Sequence, residues 1–588
     1  MRESRILLCR LRLYCYLLVL LTDSALVFPP IPKMPCTIFP CFVLVAVLTQ
    51  CTAAIAFPQG ADEAAQQLKS DEKPVAPWRS LPVGLDVTHV IDLALEHGWQ
   101  TRSIVSTSEI DDRAFARRLF LDLVGRVPRP KELQDFLAQT NSNKRAVLID
   151  KLLASSEHAE HLAEVLDAIL IGRTNVDQVK KRTEAGWIDY LRNAVHSNQP
   201  WNIMAREMVL ARPASPEVRG ASWYLYARKD KHQDIAEAVS KDIFGVRIDC
   251  AQCHDHPLAD EIKQKHYWGL VAFFNRSKNV DTPQGLRISE SAIGGFSDFS
   301  NLEGSSLPNE LRFLDDRYVE EFRPAKDVKE VDREELYRAV GDVDQRVPKF
   351  SRREQFVNNV LSDHPLLGKA MVNRLWGWMM GRGLVHPVDS LDSFHPPSHP
   401  ELLDWLSLDF ASSGYNIRRL IKALASTRAY QLDSANSSNT DPKWFASALP
   451  KPLTAEMLQR SMLVVLDPMD PSQWNAIDQR VFFSNLFTDV LTEESIANVA
   501  QGLMLSNGEA ISQLVSIKHS RFLKGLAELT DNAVTIGLLF SGVLGRKPDS
   551  DEVARCTGYI NDRADKRDRA IEGLAWALIT SAEFRFNH

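Results

Sequence analysis

The chain has 588 residues, 45% hydrophobic and 25% charged, with a formal net charge of −7. These values place it among ordinary globular proteins with room for roughly two to four domains. Charges of both signs are interspersed, so nothing in the balance points to nucleic acid or an anionic membrane surface as partner.

The first sixty residues differ from the rest. Arg2, Arg5, Arg10 and Arg12 accompany an apolar stretch to Phe28, interrupted by Asp23, and after "PPIPKMP" a second apolar run extends from Thr37 to Phe57. That run closes on Ala54-Ile55-Ala56, the small-x-small pattern of a signal-peptidase site. Residues 1–56 are therefore expected to be a signal peptide or signal anchor, with export to the periplasm, cell envelope or medium and cleavage after Ala56. Met34 is an alternative start to Met1, and an uncleaved segment would be the chain's only tie to a membrane. Residues 57–84 read as a polar linker. Five of the eight cysteines precede Ala56, so the mature chain keeps Cys250, Cys253 and Cys556, too few for a disulfide framework.

From about Leu85 the periodicity is helical. In "SEIDDRAFARRLFLDLVG", Phe115, Leu119 and Leu123 share one helix side, Ser108 is the expected N-cap and Gly125 the stop. Strand-like alternation is confined to "LRIS" and "LRFLDDRYVEEF", within a looser stretch of residues 285–349. The expected fold is mainly α: a helical domain over 85–284, a small irregular or β-containing connector over 285–349, and a second helical domain over 350–588.

An internal echo links the two ends. "GRVPRPKEL" from Gly125 aligns without gaps on "GRKPDSDEV" from Gly545, and "LLASSEH" and "LITSAEF" follow them, with a fainter "LASTRAY" at Leu424–Tyr430. Each copy predicts a helix stopped at Gly, a Pro-bearing turn and an acidic first turn. The expected role is structural: a unit that buries apolar faces.

Cys250, Cys253 and His254 spell C-x-x-C-H, the pattern by which two thiols hold a c-type haem while the adjacent imidazole takes the iron. Zinc held by Cys250, Cys253, His256 and a distant residue such as His266 is the alternative, His254 or His256 being the candidate metal-ligating imidazoles. A redox-active disulfide, or a pair of half-buried thiols, also fits the spacing. Export favours haem, because its covalent attachment occurs outside the cytoplasm. A second cluster offers Met379, Met380, His386, His395 and His399 as axial or metal ligands, against core packing and His-Pro turns as the simpler account. G-x-G-x-x-G, the P-loop, G-x-S-x-G and H-E-x-x-H are all missing, which disfavours the nucleotide-dependent and hydrolytic classes they mark.

"RRLFLDLVGRVPRPKELQDFL", "DCAQCHDHP…HYWGLVAFF", "VNRLWGWMMGRGLVHPVD", "HPPSHPELLDWLSLDFASSGYNIRRLIKALASTRAYQL" and "LITSAEFRFNH" occur in that order. In this the chain resembles exported planctomycete proteins with a cytochrome-c-like domain of unknown function followed by a second planctomycete-type domain of unknown function. The resemblance implies an exported protein with a haem motif at Cys250, Cys253 and His254. The chain departs from the family's aromatic and basic pattern at "SSEHAEHLAEVLDAIL". The expected function is covalent haem c binding with an electron-transfer or redox role, the redox partner being unidentified. A non-catalytic envelope scaffold or polysaccharide-handling accessory with a disulfide or zinc clasp is the alternative.

Overall fold

The computed structural model describes residues 82–588, apart from residue 284 and residues 339–345, 435–439, 472–476, 487–489 and 492–498. The apolar runs, the cleavage site after Ala56 and nearly all of the polar linker lie outside the described residues. Among those described, no helix is long and apolar enough to cross a membrane.

Helix Val87–Thr101 begins where the Asp86 carboxylate accepts from the backbone of Thr88, and it buries Val87, Val90, Ile91, Ala94 and Leu95 along one side. The next helix spans Asp112–Val124. Its cap is Asp111, whose carboxylate accepts from Ala114 N at 2.8 Å, and not Ser108. The segment before it is held in extended form: Glu109 bridges to Leu432 and Ile110 N donates to Gln431 O at 2.9 Å. Tertiary pairing thus overrides the earlier capping signal. Gly125 stops the helix at φ 68°, as its position implies.

The repeated motif is an ion-pair clasp, buried in the first copy and half-exposed in the second. Arg126 donates to both oxygens of Glu132 (2.7 and 2.8 Å) and of Glu157 (2.8 and 2.7 Å). Arg546 does the same to Glu552 (2.7 and 2.7 Å) and Glu583 (2.6 and 2.8 Å). The glutamates come from the "KEL/DEV" and "SSE/SAE" positions, and Ser155 and Ser581 cap the helices that carry the second of each pair. In "LASTRAY" Thr427 keeps the cap, but Ala429 stands where the others have glutamate.

Among the described residues the strands occur in antiparallel pairs. Ser277–Thr282 pairs with Gly285–Glu290, Asp298–Ser300 with Ser306–Pro308, Leu311–Arg312 with Tyr318–Val319, and Tyr337–Arg338 with Val347–Pro348. The fold is thus mainly α with a small β-containing connector. A fifth pair joins Lys451–Pro452 to Phe586–Asn587 at the far end of the chain.

The connector does not divide the core where it divides the sequence. One buried cluster runs from Val87 to Ala446, and a second gathers Leu121 and Val127 with residues from Leu453 to Phe584. Phe244, Phe313, Phe356 and His364 bind the halves across the connector, with the Phe244 and Phe313 ring centroids 4.6 Å apart. Arg352 and Arg353 anchor it from below. Arg352 donates to Ala272 O at 2.9 Å and Gly295 O at 2.8 Å and pairs with Glu321, while Arg353 reaches Ile288 O at 2.9 Å and the buried Glu290. Burial pushes the Arg353 guanidinium down to about 10.

Candidate functional site

Helix His232–Phe244 ends at Gly245, and Val246 and Ile248 carry the chain through the core into a single 3-10 turn at Asp249–Gln252. Ala251 points inward and is fully buried, whereas Cys250 and Cys253 are exposed free thiols. A 3-10 turn has about three residues per revolution, so side chains three apart eclipse. Cys250 lies within this turn and Cys253 caps it, and both are exposed. The backbone N–H groups of Cys253 and His254 both turn back on Cys250 O, at 3.4 Å each.

The imidazole of His254 is oriented. Its Nδ1 lies 2.7 Å from Asp255 O, and since a carbonyl only accepts, Nδ1 carries the proton. Nε2 is left with its lone pair and, among the described residues, no protein partner. A backbone carbonyl on the second nitrogen is how proteins orient a metal-binding histidine.

His256 has a different task. Its Nδ1 accepts from the backbone N–H of Leu258 (3.2 Å) and Ala259 (2.9 Å), and its own backbone N–H reaches Ile262 O at 2.9 Å, which closes the loop. His266 is buried with Nδ1 accepting from Lys263 N at 3.1 Å and Nε2 3.1 Å from Asp316. Nδ1 of His256 and both ring nitrogens of His266 thus have protein partners in this arrangement. Among the described residues no three His, Cys, Asp or Glu side chains are grouped to hold a metal ion.

The turn is held from helix Gln264–Phe274. Gln264 Nε2 donates to Gln252 O (3.3 Å) and Ser300 O (3.0 Å), and Trp268 Nε1 donates to Gln252 O at 3.1 Å. A second brace comes from residues 389–395. Leu391 N donates to Gly245 O at 2.8 Å, and Ser393 donates from N and Oγ to the two oxygens of Glu261, at 2.6 and 2.7 Å. Burial works against the Glu261 charge, but these bonds outweigh it and hold its carboxyl below the usual range. Leu258 and Phe394, 57% and 51% exposed, flank the junction.

The second cluster is mostly core. Met379 and Met380 are buried in helix Pro365–Met380, and His386 lines a cavity of about 230 Å³ with Asp122, Trp378, Lys451 and Asn587. His399 precedes helix Pro400–Ser412 as expected. Its ring packs against Trp444 and Phe445, and burial pushes its pKa down to about 4. His395 alone of the five sits on the loop that braces the cysteine turn. The signal for it, Asp392 three residues earlier capping the turn, is present in "DSFH"; nothing in the sequence announces Glu261 as the partner of Ser393.

The donor set matches covalent haem at two points: two exposed thiols three residues apart and a following imidazole with Nε2 available. The five cavities described in the structure lie elsewhere.

The family model PSCyt2, a protein of unknown function (DUF1549), matches residues 90–279, and PSD1, a protein of unknown function (DUF1553), matches residues 352–481. No curated protein and no solved structure matches the chain.

Proposed function

From the premise that the chain belongs to the family in which a PSCyt2 domain precedes a PSD1 domain, we propose that it is an exported haem c protein with an electron-transfer or redox role. The observation that carries this is the exposure of both Cys250, within a 3-10 turn, and Cys253, its C-cap, followed directly by His254 with its Nε2 available. Cys250 and Cys253 would hold the group through two thioether bonds. His254 would offer Nε2 to the iron, its ring fixed by the bond from Nδ1 to Asp255 O. When bound, the haem supplies one-electron chemistry through its iron. An exposed attachment site suits transfer to a partner protein at the surface.

Expression with the haem-attachment machinery tests this. The expected result is a Soret band that survives acid-acetone extraction and is lost, with haem-stained mass on a denaturing gel, in Cys253→Ser. No covalent haem in the wild-type protein overturns the reading. In that case the same exposed thiols support the second reading, an envelope scaffold or polysaccharide-handling accessory with a disulfide or zinc clasp, which thiol titration and metal analysis divide.

A further inference from the structure

Away from the cysteine turn, three elements border a common cleft of about 650 Å³, within the range of roughly 300–1,000 Å³ found for small-molecule sites. Helix Val176–Glu184 and its cap contribute Gln178, Lys181 and Ala185, which the 3.6-residue repeat places on one side. The 3-10 helix Pro216–Ser222 and the helical turn Trp223–Tyr226 contribute Arg219, Trp223 and Tyr226, spaced by four and three. Asn279 and Asp281 are alternate residues of one strand, and Gly285 and Leu286 of its partner complete the lining. The first two elements are drawn together where Gly220 meets the backbone of Gly186: a Cβ on Gly220 would overlap Gly186 O.

Tyr226 is held at several points. Its ring lies 5.7 Å from that of Trp223 at an interplanar angle of 24°, its hydroxyl donates to Asp281 Oδ1 at 2.6 Å, and its carbonyl accepts from Asn279 Nδ2 at 2.8 Å. Trp223 is buried but Tyr226 only half-buried, so part of an ordered aromatic ring borders the cleft. Such a ring offers apolar contact at little cost in conformational entropy. Around it the polar lining is planar. The amides of Gln178 and Asn279, the carboxylates of Glu184 and Asp281 and the guanidinium of Arg219 each carry neighbouring polar atoms, which suit the adjacent hydroxyls of a sugar ring. Cations outnumber acids there, Lys181, Arg219 and Lys229 against Glu184 and Asp281, although the whole chain carries −7. Lys181 and Lys229 are exposed, and among the described residues neither is taken up by an ion pair. A cationic cleft on an acidic molecule favours an anionic ligand.

We propose that this cleft binds a saccharide chain bearing carboxylate groups, with a sugar ring against Tyr226, hydroxyls on the planar side chains and the negative charges on Lys181 and Lys229. An acidic peptide would meet the same lysines, but its carboxylates would be repelled by Glu184 and Asp281, which the hydroxyls of a sugar satisfy as donors. The site is independent of the haem reading, since no residue of the cysteine turn lines the cleft.

The test is a calorimetric titration of the full chain with an oligogalacturonate, beside a neutral cello-oligosaccharide and poly-glutamate as comparison probes. The uronate is expected to bind, less tightly as salt is raised, and to outbind both other probes. Tyr226→Ala is expected to weaken binding about tenfold, the worth of an aromatic contact. Lys181→Glu, a change on an exposed helix face, is expected to weaken binding and to flatten its salt dependence. It is read in place of Tyr226→Ala should that variant fail to fold. Cys253→Ser is expected to bind as wild type does. No binding of the uronate, or binding unaltered in Lys181→Glu and in a folded Tyr226→Ala, overturns the proposal and leaves the haem reading standing. Equal binding of poly-glutamate overturns it in favour of an acidic peptide, and equal binding of the neutral oligosaccharide overturns the role given to the lysines.

Discussion

Arg126 and Arg546 do the same job in different surroundings. The side chain of Arg126 is 3% exposed and that of Arg546 32%. Burial opposes the charge of Arg126, but Glu132 and Glu157 together hold its pKa above the ordinary range. Removing a cation from a buried pair strands its partners, whereas a half-wet pair loses little. Arg126→Met should therefore cost about 3 kcal/mol of unfolding free energy, and Arg546→Met about 1 kcal/mol, by denaturant titration; equal costs would refute the burial argument. The second clasp also has a pH signature. The hydrogen bond from Arg546 pulls Glu552 from 4.5 to about 2. A carboxyl depressed on folding stabilises above its unfolded pKa, and that contribution is lost as pH falls through the folded value. Wild type should lose stability between pH 4.5 and 2, and Arg546→Met should show a shallower fall over the same window.

At the scale of single elements, the two copies of the repeat end their helices alike but in unlike space. Gly125 and Gly545 have φ of 68° and 72°, where a side chain is strained. A Cβ on Gly125 would stand 2.5 Å from the His161 ring, while one on Gly545 would meet only Leu133 Cδ2 at 3.4 Å. Gly545→Ala should cost about 1–2 kcal/mol, the backbone penalty alone, and Gly125→Ala about 3 kcal/mol or more, with steric overlap added; thermal unfolding of the two variants separates them. Much at this scale is legible from the sequence, because stops, prolines and caps act over a few residues: Gly125, Pro400 and the strand at "LRIS" all stand where local chemistry puts them. Ser108 fails as a cap because Glu109 and Ile110 pair with residues over three hundred positions away. The cysteine turn is legible for the same local reason. Its neighbours are not, since Ser393 meets Glu261 across 132 positions, and the glutamates of the clasp look like any other surface acids until Arg126 gathers them.

On the scale of the whole molecule, Asp122 is where the chain is tied together. Its carboxylate accepts from Lys451 Nζ (2.6 Å), Asn587 Nδ2 (2.9 Å) and Tyr430 Oη (2.8 Å), so the first helical hairpin, the end of the first core and the last residues of the protein share one buried charge. Burial pushes the Lys451 ammonium down, which the Asp122 carboxylate opposes, and pushes the Tyr430 hydroxyl up, which the same carboxylate reinforces. Deleting Phe586–His588 removes one of those donors and the strand paired with Lys451–Pro452. The shortened protein should lose about 2–3 kcal/mol, the worth of a hydrogen bond to a buried charge plus the pairing around it; unchanged stability would show the C-terminal strand to be ornamental. Three residues at the end of a long chain look dispensable in the sequence, and only the fold shows them closing on position 122.

That closure has a temporal consequence. Asn587 is made 465 positions after Asp122, so the helix that carries the carboxylate cannot finish its hydrogen bonding until that distant strand has folded back onto it.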